Sequence, residues 1–151
     1  MAYHQDVLTS KAQNALNHIK DFGPEAREWN STDTFQDNIG WKQINSDEKG
    51  QVDLGKMYGY LHKKTGYAIS FVDSPDDRLA YFNFVANDFG RIWLNGEVVG
   101  QDMFFIGDGI KPFPVWLKKG RNTIMVKVLN MFYSWNFNLE VVDVDHTLKL
   151  Q

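Results

Sequence analysis

The sequence predicts an all-β sandwich, and three observations carry that reading. Tyr81–Gly100 (YFNFVANDFGRIWLNGEVVG) holds two reversals, Asn87-Asp88-Phe89-Gly90 and Asn95-Gly96, with no room for a helix between them. Thr123–Leu129 alternates, with Ile124, Val126 and Val128 on one face and Thr123, Met125 and Lys127 on the other. From Thr65 to Val141, apolar or β-branched runs are separated by short polar turns. The first observation predicts an antiparallel meander, and the three together a sandwich.

Composition permits such a core. The 151 residues are 43% hydrophobic and 15% aromatic, with five Trp and eleven Phe. One domain over 1–151 is expected, with its sheet core best defined over 60–143. Net charge is −3 and the basic residues are scattered, so the chain lacks the electrostatic footprint of a nucleic-acid binder. The absence of cysteine excludes a disulfide framework and a thiol nucleophile. No apolar run reaches membrane-spanning length, and Met1-Ala2-Tyr3-His4 does not begin a signal peptide.

In chain order, Val7, Leu8, Ala12, Ala15, Leu16 and Ile19 recur at helical spacing, which reads as a short amphipathic helix over Asp6–Lys20. The end of that segment, His18–Phe22, reads equally well as a first strand stopping at Gly23-Pro24. Residues 23–56 have no sustained period, but Trp29, Phe35, Ile39, Trp41 and Ile44 make them too aromatic and apolar for a solvated linker. Gly40–Ile44 reads as a short strand and Asn45–Gly50 as a turn.

Regular strands follow at Thr65–Val72 and Arg78–Ala86, joined by the Asp73–Asp77 turn. Arg91–Leu94 and Glu97–Val99 flank Asn95-Gly96, and Gly107–Pro112 is a loop. Phe113–Leu117 is a strand whose Pro114 cannot donate to a ladder, which places it at an edge or a strand end. Val115 and Leu117 are in phase with Phe113, so Trp116 points to the opposite face. Turns at Lys118–Asn122 and Asn130–Ser134 bracket Thr123–Leu129. In the last strand Trp135, Phe137, Leu139 and Val141 form an inward row against Asn136, Asn138 and Glu140.

Catalytic chemistry finds little support. His4, His18, His62 and His146 are isolated, with none at metal-ligand spacing. Asp76-Asp77 and Asp143-x-Asp145 offer paired carboxylates of the kind glycoside hydrolysis needs, but a turn and a strand end account for them. There is no Gly-x-Ser-x-Gly, and Gly107-Asp108-Gly109 is a turn, not a phosphate cradle. No enzymatic activity is expected.

The runs ANDFGRIWLNGEVVG (86–100), VWLKKGRNTIMVKV (115–128) and WNFNLEVVD (135–143) carry a resemblance. In that order they resemble the galactose-binding-domain-like jelly rolls attached to bacterial glycoside hydrolases and related polysaccharide-active enzymes. Phe22-Gly23-Pro24 is similar to the segment that opens many of those modules. The resemblance implies a jelly-roll β-sandwich and a non-catalytic carbohydrate-binding accessory module. It further implies a poly- or oligosaccharide partner, a catalytic domain in the parent chain, and a secreted, periplasmic or cell-surface location. Jelly rolls of this type often hold a structural calcium ion, for which Asp143 and Asp145 would be ligands by that analogy. Their spacing is not a calcium loop, and no cofactor or metal is expected.

Two departures from the pattern stand out: Phe89 puts an apolar group at a loop tip, and position 116 is Trp instead of a small polar residue. Sugar binding needs exposed aromatic faces and planar polar groups, so the candidate ligand-binding residues are Trp116, Phe132, Tyr133, Asn87 and Asp88. Each has a structural alternative. Trp116 caps the core edge or packs under the N-terminal segment, Phe132 and Tyr133 pack on a neighbouring loop or domain, and turn chemistry explains Asn87 and Asp88. Trp93 and Trp135 are expected to be structural. The alternative function is a docking domain of the same fold whose exposed aromatics meet protein.

Overall fold

In a computed structural model of the chain, residues 2–6, 42–60, 62–103 and 112–151 are described. The strands are β1 (Ala2–Asp6), β2 (Gln51–Asp53), β3 (Lys64–Ser74), β4 (Arg78–Asn87) and β5 (Phe89–Leu94), then β6 (Glu97–Met103), β7 (Phe113–Leu117), β8 (Gly120–Asn130), β9 (Asn136–Val142) and β10 (Lys149–Leu150). One short helix, α1 (Leu54–Tyr58), follows β2. The expected all-β sandwich is observed: a large sheet ordered β1-β3-β8-β5-β6, with β10 also on β3, faces a small sheet ordered β2-β9-β4-β7. Every pairing among the described strands is antiparallel.

The meander expected over Tyr81–Gly100 is half right. Asn95 and Gly96 both take positive φ, 52° and 85°, and close the tight β5–β6 hairpin. Asn95 also braces the neighbouring strand, since Thr123 N donates to its Oδ1 at 2.9 Å. The first reversal is different. β4 belongs to the small sheet and β5 to the large one, so Asn87–Gly90 arches between sheets. Among the described strands, β5 and β6 are the consecutive pair that shares a sheet, and every other link passes to the opposite one. Turn residues specify that the chain reverses; side-chain burial on both sides of the arch decides where the next strand pairs.

Gly90 shows how tight that arch is. A Cβ there would lie 2.5 Å from Ala86 Cβ and 2.5 Å from Phe84 Cζ. Gly90→Ala is therefore expected to destabilise the protein by about 1–3 kcal/mol, as overpacking of a filled core does. Thermal unfolding followed by circular dichroism checks this; an unchanged melting temperature would show that the arch yields freely.

The sandwich interior is built from the inward phases. Ala80, Phe82, Phe84 and Ala86 of β4 meet Val115 and Leu117 of β7, Ile124, Val126 and Val128 of β8, and Trp135 and Phe137. Trp135 is fully buried and its indole N–H donates to the Val128 carbonyl at 3.3 Å. The opposite phase of the large sheet is buried as well: Tyr67, Ile69, Phe71, Trp93, Met125 and Lys127 form a second layer on its other face. Trp93 and Trp135 are thus both structural, as expected.

Three local features were not anticipated. β1 pairs with the lower half of β3 (Ala2 opposite Ala68, Asp6 opposite Lys64) although its sequence carries no strand signal. β10 covers the upper half, and Gln151 exchanges two backbone hydrogen bonds with Phe71. Both satisfy an edge that β3 would otherwise expose. α1 is nucleated by Asp53, whose carboxylate accepts from Lys56 N at 3.0 Å as an N-cap. Of the expected Gly40–Ile44 strand, Lys42 forms a single β-bridge. The Asp6–Lys20 helix beyond Asp6, the His18–Phe22 alternative, Phe22-Gly23-Pro24, Gly107–Lys111, Trp29 and Trp41 lie outside the described residues.

Candidate functional site

The outer face of the small sheet is open, and strand phase alone determines what it displays. On β7, Phe113, Val115 and Leu117 turn inward, leaving Pro114 and Trp116 outside. Pro114 sits on an edge strand, where its missing N–H breaks no ladder. Trp116 is 59% exposed. Its register partner is Leu79, 53% exposed, and one step along β4 Tyr81 (42% exposed) lies between Pro114 and Val142. Exposed apolar side chains of β7 and β4 are therefore register neighbours at this end of the face, next to Val142 of β9.

Further along the same face the groups become polar. Asn83 lies opposite Glu140 and donates its Nδ2 hydrogen to Glu140 Oε2 at 2.7 Å. Val85 lies opposite Asn138, which in turn lies opposite Gln51. Asn138 donates to the Lys49 carbonyl at 2.9 Å, and Gln51 Nε2 donates to Asn136 Oδ1 at 3.3 Å. These cross-strand bonds hold the planar amides in fixed orientations.

The other candidates gather elsewhere. Asn87 and Asp88 close β4 at the opposite end from Leu79, about 27 Å away at the rise of an antiparallel strand. Asp88 is 2% exposed, and its Oδ2 accepts from Met131 N at 2.6 Å and Phe132 N at 3.0 Å. Burial raises its pKa, and the two amide hydrogen bonds oppose that shift. The carboxylate is thus spent on shaping the 131–135 loop. Asn87 is half-buried, and its Oδ1 has no hydrogen-bond partner among the described residues. The loop that Asp88 holds displays Phe132 (53% exposed) and Tyr133 (79% exposed), both with rings against His62. Tyr133 is held at φ 56°, a strained conformation for an aromatic residue. Phe89, expected at a loop tip, is instead half-buried against Leu129 and Met131.

The structure therefore brings Asn87, Asp88, Phe132 and Tyr133 together and leaves Trp116 alone at the far end, beside Leu79 and Tyr81. Sequence reasoning missed those two, along with Asn83, Asn138, Glu140 and Gln51. In Arg78–Asn87 both phases contain apolar residues, so alternation does not say which faces out. Glu140 and Asn138 were legible as the polar phase of β9; their alignment with Asn83 and Val85 needed the register.

The carboxylates at the β3–β4 end form a structural knot. Arg78 binds Asp76 at 2.6 Å and Asp145 at 2.8 Å, and Asp77 accepts from Lys119 N. Asp143 accepts from Thr147 N and Leu148 N. The Arg78 hydrogen bond lowers the pKa of Asp76, and those of Thr147 and Arg78 lower that of Asp145. No three His, Cys, Asp or Glu side chains among the described residues are placed to hold a metal ion. No helix among them is long and apolar enough to cross a membrane.

A concavity of about 980 Å³ opens beside β3 and β9, lined by residues of both sheets. Its floor is core side chains such as Ile124, Val126 and Phe137, and its polar groups, Asn45, Asn138 and Gln151 among them, stand at the rim. No protein-family model matches the chain, and no curated protein matches it either.

Proposed function

We propose that the protein is a non-catalytic carbohydrate-binding accessory module that holds a polysaccharide-active protein near its glycan. One observation carries the reading: Trp116 lies 59% exposed on the outer face of the small sheet, beside Leu79 and Tyr81. An exposed indole there offers its face to the C–H side of a pyranose, and the bonded amides beyond it meet hydroxyls. The alternation of consecutive strands between sheets supports the jelly-roll reading of the fold. Such a module acts where polysaccharide is met, outside the cytoplasm, beside a catalytic domain.

The test is a tryptophan-fluorescence titration with plant, algal and host polysaccharides. Of the described tryptophans, Trp93 and Trp135 are buried and Trp116 is exposed, and comparison with Trp116→Ala separates its signal from that of the other tryptophans. A saturable change is expected in the wild type, and Trp116→Ala is expected to weaken binding by about 30-fold, the size of a hot-spot aromatic. Because Trp116 is exposed, the variant should unfold within about 0.5 kcal/mol of wild type. Silence of the folded wild type toward every glycan would sink the reading.

A second reading, a docking domain without a sugar site, is favoured by the other end of the molecule. Tyr133 and Phe132 project from a loop that Asp88 holds rigid, as interface anchors do. Elution in size-exclusion chromatography that shifts with concentration, and is restored by Tyr133→Ala, would favour it.

A further inference from the structure

Resting on the carbohydrate reading above, the geometry points to a ligand class: the open face of the small sheet takes uncharged, hydroxyl-rich glycan chains and rejects acidic ones. The outward positions of β2, β4, β7 and β9 carry two carboxylates, Asp53 and Glu140, and among the described residues none of these positions is Lys or Arg. Asp53 is occupied at the rim, where it caps α1 and accepts from the Tyr60 hydroxyl at 3.4 Å. Glu140 is exposed at mid-face, on the path from the Trp116 end to the amides.

The described cations that border this face stand at its ends, not on it. Arg78 is held between Asp76 and Asp145. Lys118 and Lys119 follow the end of β7, and Lys49 stands at the β2 rim, where its carbonyl takes the Asn138 hydrogen bond. A uronate or sulfate crossing the face would give up hydration, meet no cation among the described residues of its strands, and lie beside the Glu140 carboxylate. A hydroxyl meets the opposite situation. Asn83, Asn136, Asn138 and Gln51 each present both a donor and an acceptor, matching a group that also does both. Glu140 Oε2 already accepts from Asn83, and a carboxylate keeps further acceptor positions for a sugar O–H.

The face is also long enough for a chain. Its diagonal from Trp116 to Gln51 is about 25 Å by inter-strand spacing and strand rise, room for several sugar rings. The ligand class is therefore a neutral polysaccharide segment lying across the strands, its apolar ring face on Trp116.

The test is affinity electrophoresis of wild type, Glu140→Lys, Glu140→Gln and Trp116→Ala. The probes are neutral xylan, galactomannan and β-glucan, and acidic polygalacturonate, alginate and sulfated galactan, each in low and in raised salt. Glu140 is exposed, so its variants are expected to fold, which circular dichroism confirms. The expected result is retardation of wild type by at least one neutral glycan, with acidic glycans at least about tenfold weaker in low salt. Glu140→Lys should narrow that gap about tenfold, Glu140→Gln by less, and raised salt should shrink the effect. Trp116→Ala should lose the neutral interaction.

Acidic glycans binding wild type as tightly as neutral ones, through Trp116, would overturn the preference while the carbohydrate reading stands. Neutral binding indifferent to both Trp116 and Glu140 would overturn the assignment of this face. No glycan of either class binding the folded wild type would overturn the carbohydrate reading, and the preference with it.

Discussion

Phe84→Ala is expected to lower the free energy of unfolding by about 3–5 kcal/mol, the range for truncating a fully buried phenylalanine. Phe84 has no exposed surface, and its ring lies 6.5 Å from that of Phe137, tilted by 56°. It also covers Gly90, so β4, β9 and β5 all lose contacts together. The cavity opens where the two sheets meet, and the surrounding backbone is tied by β4–β9 and β5–β8 ladders that resist collapse into it. At about 2–4 °C per kcal/mol for a chain of this length, the melting temperature should fall by about 6–20 °C. Urea and thermal unfolding measure it. A loss below about 1 kcal/mol would mean that the arch region is not cooperative with the core. Where the variant remains folded, its glycan response should persist, because Trp116 is at the other end of β4.

Asp88→Ala is expected to cost about 2–4 kcal/mol. The carboxylate is the acceptor for the amides of Met131 and Phe132, and its removal leaves those donors without a partner near a buried chain reversal. Asp88→Asn keeps one acceptor oxygen and should lose less. The two variants separate charge from hydrogen bonding through pH. Burial raises the folded-state pKa of Asp88, so the folded protein binds its proton more readily than the unfolded chain does.

Above that raised pKa the ionised form carries a burial penalty. The penalty is relieved as pH falls through the folded pKa toward the ordinary value of 3.8. Wild type should therefore gain stability relative to Asp88→Asn as the pH drops from neutrality into that window. Urea melts of both proteins at several pH values measure the difference; a gap that shrinks on acidification would show that the two amide bonds outweigh burial. Half-buried Asp73 and exposed Asp76 and Asp145 act in the other sense. Their pKa values are lowered, chiefly by hydrogen bonds to Arg121, to Arg78 and to Thr147 respectively, so what they contribute is present above 3.8 and lost below it.

Much of the fold was legible. The strand at Phe113–Leu117, its edge position and the outward Trp116 followed from Pro114 and a period of two. Asn95-Gly96 announced its hairpin because both residues tolerate positive φ, and the inward row of Trp135, Phe137 and its neighbours followed from alternation. The candidate site was legible in pieces. Trp116, Phe132 and Tyr133 stood out as large aromatics at exposed phases or in a turn, and all three are exposed. Asp88 looked like a turn residue with a spare carboxylate, and its two amide partners, far along the chain in the 131–135 loop, were invisible to local reasoning.

The sequence by itself did not determine β1, β10 or α1, but it did determine the strands of the sheet core between Thr65 and Val141, the Asn95-Gly96 turn and the outward direction of Trp116. These are local matters, set by backbone preferences within a few residues and by the pleat. Tertiary structure alone decided which sheet each strand joins, and so converted an expected meander at Asn87–Gly90 into an arch. It also buried the Tyr67–Lys127 layer, parted Trp116 from Tyr133, and brought Leu79, Tyr81, Asn83 and Glu140 into one face. Those outcomes rest on pairing register and on burial between residues distant in sequence. A period of two fixes the phase of a strand but is silent about its neighbour.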